Sequence, residues 1–136
     1  MTDYATDYVL WAKEQAEILR TGDLSRLDRV HAADEIESLA LTARREFRRM
    51  VSILLSQLLM YAAGDIAQRR SIDASRAGIA YELKEAPSLR SYIESPSVAE
   101  LIWANGIALV PDSIEVPEAM PWTLAAALES GFYAGQ

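Results

Sequence analysis

The sequence predicts an all-α fold: a compact five- or six-helix bundle with a long central helix and a proline-containing C-terminal segment packed over it. Three observations carry that prediction. Apolar residues at steps of three and four run unbroken from Ile36 to Tyr61, the period of one helix face. No β-branched alternating run marks a strand. Gly and Pro then divide the rest of the chain into helix-length pieces. With 136 residues and no repeat, low-complexity tract or long linker, the chain reads as a single helical domain spanning residues 1–136.

The first helix is expected from about Tyr4 to Arg20, with Tyr4, Tyr8, Trp11, Ile18 and Leu19 on one face. Gly22 follows as a left-handed terminator, since it has no Cβ to clash, and Asp23 or Ser25 can cap the next helix. That second helix is the spine. Ile36, Leu39, Ala43, Phe47, Met50, Leu54, Leu58 and Tyr61 form its stripe, and Val51, Leu55, Leu59 and Ala62 widen it. A helix apolar on most sides must be enclosed by others, so Val51 to Ala63 is expected at the centre, ending at Gly64-Asp65.

After a polar loop to Ser71, a third helix buries Ile72, Ile79 and Leu83 and stops before Pro87. A short turn carries Leu89, Tyr92 and Ile93. Ser97 with Glu100 three residues on reads as a capping box opening a further helix through Leu109. Pro111 and Pro117 then forbid a regular helix, while Val110, Ile114, Val116 and Met120 are apolar enough to lie on the bundle. Pro121-Trp122-Thr123 opens a last short helix to about Ser130, ended by Gly131.

Composition removes several kinds of chemistry. Without Cys there is no disulfide, thiolate nucleophile, Fe–S cluster or sulfur-ligated zinc. Absence of Cys and of a basic-then-apolar N-terminus fits a cytoplasmic protein. The most apolar stretch, Met50 to Ala63, is shorter than the about 20 residues a membrane helix needs, so no membrane association is expected. A net charge of −7 opposes non-specific nucleic-acid binding, which draws on excess Lys and Arg.

Three segments together resemble the DUF29 family of small bacterial helical proteins: Tyr8-x-x-Trp11 with Leu19-Arg20 and Gly22; Asp34-Glu35-Ile36-Glu37-Ser38-Leu39 leading to Arg44-Arg45-Glu46; and Pro117-x-x-x-Pro121-Trp122-Thr123-Leu124. Pro87-Ser88-Leu89-Arg90 fits as well, and the order of segments matches over nearly the whole chain. The chain departs from the family pattern at Ile72, Met120 and Ser130-Gly131. The resemblance implies an all-α fold and no particular reaction.

Among chemistry-bearing groups, His31, Asp34 and Glu35 share spacing that turns them the same way, so a metal could in principle bind there, though no metal is expected. Helical di-iron sites, however, need Glu-x-x-His on two helices, and this chain has one His. A Ser-His-Asp triad would need one His, but no Gly-x-Ser-x-Gly turn is present. No catalytic residue and no cofactor is therefore expected.

The spine instead segregates charge. Asp34, Glu35 and Glu37 form an acidic turn; Arg44, Arg45, Arg48 and Arg49 form a basic double turn broken only by Glu46. Like charges at i, i+4 cost a few tenths of a kcal/mol each, so something should offset them. Acidic residues of a neighbouring helix, such as Glu14 or Glu17, are one expectation. A second spine packed antiparallel about a two-fold axis near Ala40 or Leu41 is another, with the chain a self-associating interaction protein. A small-anion or nucleic-acid patch using the arginines together with Arg69 and Arg70 is the alternative. Trp122 is expected to pin the C-terminal segment.

Overall fold

Asp7 is extended and its carboxylate accepts from the Leu10 N–H, which opens α1 (Tyr8–Thr21) in a computed structural model that describes residues 1–134. Tyr4 lies before the helix rather than in it. Gly22 closes α1 at φ 81°, the left-handed conformation expected of it. A single 3-10 turn, Leu24–Arg26, follows. The next helix begins at Arg29, and its cap is Asp28, whose Oδ1 accepts from the His31 N–H at 3.3 Å. Asp23 instead accepts from the Ser25 hydroxyl. The expected cap at Asp23 or Ser25 is displaced because the intervening 3-10 turn consumes those residues.

The spine is α2 (Arg29–Ala62), followed by α3 (Gln68–Glu85), α4 (Leu89–Glu94), α5 (Pro96–Ala108) and α6 (Leu124–Leu128). The described residues hold six α-helices and no strand, and the fold is all-α with one long helix. Helix α5 departs from its expected start. Pro96 occupies its first turn, where a missing N–H costs nothing, and no side chain caps it; Ser97 lies inside the helix, so the capping box does not form. Thr123, by contrast, caps α6 by accepting from the Ala126 N–H at 3.0 Å.

The chain forms two compact units, one of Met1–Thr42 and one beginning at Ala43. The first holds α1, the 3-10 turn and the opening turns of α2. Its buried apolar side chains are Trp11 and Ile18, joined by buried Gln15. Gln15 Oε1 accepts from the Asp28 N–H at 2.7 Å, a bond that orders the connection between the two helices.

The second unit carries the main core. Phe47, Val51, Leu54, Leu55 and Leu58 of α2 are sealed against Ile72 and Ile79 of α3, Ile93 of α4 and Ile102 of α5. Burying side chains of this size contributes about 1.5–3 kcal/mol each. The segment after α5 lays Val110, Ile114, Val116 and Met120 on that core, as their apolar character predicts. Gly106 brings α5 close to α2: an added Cβ would stand 3.1 Å from the Ser52 carbonyl oxygen and 3.2 Å from Leu55 Cβ. Ser52 uses the approach, donating to the Ile102 carbonyl at 3.1 Å.

Candidate functional site

In the first unit, the opening turns of α2 gather a small polar and aromatic cluster. Asp28 accepts from the Trp11 indole N–H at 3.0 Å and lies 2.8 Å from His31 Nδ1. Tyr4 stacks on the His31 ring with centroids 4.3 Å apart, and its hydroxyl donates to Glu35. Bonding to His31 holds the Asp28 carboxyl below its usual range, and donation to Glu35 raises the Tyr4 hydroxyl above its own. This arrangement gives His31 and Glu35 protein partners. Among the described residues, no three His, Asp or Glu groups converge as a metal shell.

Asp34, Glu35 and Glu37 are all exposed, and so are the apolar residues between and beside them. Ile36 is 67% exposed, Leu39 74%, and Val30 and Leu41 are open as well. The sequence stripe therefore divides: from Phe47 onward it is core, and its opening residues are bare. Tyr8, Val9, Leu10 and Leu19 of α1 add further exposed apolar surface to this unit.

In the second unit, Arg44, Arg45 and Arg48 make no ion pair among the described residues. The ion pairs of the described residues are Arg20–Glu17, His31–Asp28 and Arg49–Glu46, the last at 3.9 Å and largely in solvent. Glu14, held below its usual carboxylate range by accepting from the Thr2 N–H, and Glu17 are thus occupied inside their own unit. Two arginines turn to Tyr92 of α4 instead: Arg44 lies over its ring at 5.2 Å, and Arg48 donates to its hydroxyl at 2.9 Å. Arg45, Arg48 and Arg49 line an open cleft of about 430 Å³ whose other wall is Asn105, Ala108 and Leu109 at the end of α5.

Trp122 is half-buried, edge-on to Trp103 at 6.3 Å and to Phe132 at 6.1 Å. It packs against the margin of the core. The sequence by itself assigns no role to two further groups, Tyr92 and Arg76. Tyr92 offered no signal beyond its helix. Arg76 did offer one, since it falls between Ile72 and Ile79 on the buried face of α3.

No helix among the described residues is long and apolar enough to cross a membrane. A search of curated proteins and a search of solved structures each returned no match. The family model described as "Domain of unknown function DUF29" matches residues 4–133, which takes in both units, all six helices and the charged turns of α2. The chain belongs to the DUF29 family.

Proposed function

We propose that this chain is a non-enzymatic interaction or scaffold protein of the bacterial cytoplasm that self-associates through the opening turns of α2. The observation that carries this reading is the exposure of Ile36 and Leu39 at 67% and 74% in a unit whose buried apolar side chains are Trp11 and Ile18. Exposed Ile and Leu side chains one helical turn apart offer an association surface.

Charge favours a second copy as the occupant. Glu37, Arg44 and Arg48 follow one edge of the stripe at steps of seven and four. In an antiparallel pair about a two-fold axis, like edges meet, and Glu37 and Arg44 lie equally far from an axis between Ala40 and Leu41. Each Glu37 then faces the partner's Arg44, twice per dimer, with Asp34 and Glu35 flanking one end and Arg45, Arg48 and Arg49 the other. Gel filtration with light scattering at low salt tests the reading. A dimer that Leu39→Glu converts to a monomer supports it; a wild-type monomer at high micromolar concentration ends it.

The second reading is a small-anion or nucleic-acid module, favoured by the Arg45/Arg48/Arg49 cleft. It requires binding of pyrophosphate or single-stranded DNA that weakens steeply with salt. Binding indifferent to salt removes it.

A further inference from the structure

Arg76 poses a chemical problem that its surroundings do not solve. Its side chain is 7% exposed, and its Nε–H donates to the Ala127 carbonyl at the end of α6 at 2.9 Å. Its two terminal nitrogens, Nη1 and Nη2, are shut off from solvent and have no acceptor among the described residues. The guanidinium does lie against rings, 5.9 Å from that of Phe132 and 5.5 Å from that of Tyr133. Rings attract the charge, however, and supply no oxygen acceptor to Nη1 or Nη2. The nearest carboxylate in sequence on this face, Asp73, accepts from the Tyr133 hydroxyl instead. Burial pushes the Arg76 guanidinium down from its usual value, while Asp73 and Tyr133 act in the opposite sense.

Beside this group lies a cleft of about 410 Å³, lined by Asp73, Arg76, Leu128, Ser130, Gly131 and Tyr133. The volume is in the range of small-ligand sites. We propose that this cleft binds a small organic monocarboxylate, whose two oxygens take the paired Nη1 and Nη2 donors of Arg76 while its apolar end lies along Leu128, Ala77 and Ala80. The paired donors select a planar two-oxygen acceptor. Charge selects a monoanion: Arg76 and Arg69, the latter 4.6 Å over the Tyr133 ring, stand against Asp73. That leaves about one positive charge for the occupant, which a phosphate dianion would exceed. Taking up the carboxylate requires the Phe132 and Tyr133 rings, which lie against the guanidinium, to move off the sealed nitrogens.

The test is titration of the full chain with sodium butyrate, against sodium chloride at matched ionic strength, followed by amide and guanidinium NMR. Saturating shifts at Arg76 Nε–H, Ser130 and Gly131 are expected. Arg76→Lys keeps the charge but loses the fork, and should weaken butyrate about tenfold or more. Should that variant unfold, Ala80→Phe at an exposed position of the wall leaves Arg76 in place and should block binding by filling the cleft. Shifts that stay linear or spread evenly over the chain would overturn the proposal. So would saturation unchanged by Ala80→Phe, or inorganic phosphate binding as tightly as butyrate.

Discussion

The Trp11 indole N–H donates to Asp28 at 3.0 Å, and the same carboxylate caps α2 and meets His31 at 2.8 Å. One side chain thus ties α1 to the opening turn of α2 within the first unit, a unit with little apolar core of its own. That makes its order sensitive to acid.

Bonding holds the Asp28 carboxyl below its unfolded value, so it contributes stability that is complete above that value and lost as pH falls through the folded one. The Trp11 indole N–H resonance should therefore keep its position at neutral pH and move toward that of a free indole below about pH 4. Asp28→Asn should shift the resonance at all pH values and flatten the acid dependence. A Trp11 signal that holds steady to the lowest pH in the wild type would show that Asp28 does not order the unit.

If α2 pairs with a second α2, the charges of Glu37 and Arg44 are interchangeable across the axis. Glu37→Arg and Arg44→Glu, each alone, should raise the dimer dissociation constant by about tenfold, and the double variant should recover most of that loss. Sedimentation velocity at low salt measures all four proteins. Additive losses in the double variant would place the two residues apart.

Gly106 sets two known effects against each other. Alanine in a helix interior is favoured over glycine by about 1 kcal/mol, but here the new methyl meets the backbone oxygen of Ser52 at 3.1 Å. That oxygen sits in the middle of α2 and cannot rotate away, so overpacking, which costs about 1–3 kcal/mol, should win. Gly106→Ala should lower the urea midpoint; a rise would mean that α5 slides freely on α2.

Trp122 is only half-buried, yet it touches Trp103 and Phe132 edge-on. Truncation of a fully enclosed Trp costs about 3–5 kcal/mol, and a marginal one should cost less. Trp122→Ala is expected to destabilise by about 2 kcal/mol in urea unfolding. A loss under about 0.5 kcal/mol, the range of ordinary surface changes, would show the C-terminal segment to be held without it.

Most of the helical layout was legible in the residues. Gly22, Gly64, Pro87 and Thr123 act locally, through φ or a single side-chain bond, so their effect can be read without neighbours. Caps that depend on where the chain turns were less legible: Asp28 replaced Asp23 because of the 3-10 turn, and Pro96 displaced Ser97. The charged turns were plain in the sequence, but their intrachain partners were not. Tyr92 meets Arg44 and Arg48 from a helix more than forty residues away in the chain, with no pattern to announce it.

By itself the sequence determined the class of fold, the unbroken length of α2 and the separation of its acid from its base, because period, propensity and capping act within one or two turns. Only the tertiary structure decided which part of the α2 stripe is covered, and that Arg76 is enclosed with two donors unmet among the described residues. Coverage depends on which distant helices arrive, and the same Leu or Ile spacing serves equally for a core and for a bare face. The demand of a buried charge exists only once the surrounding segments have excluded water.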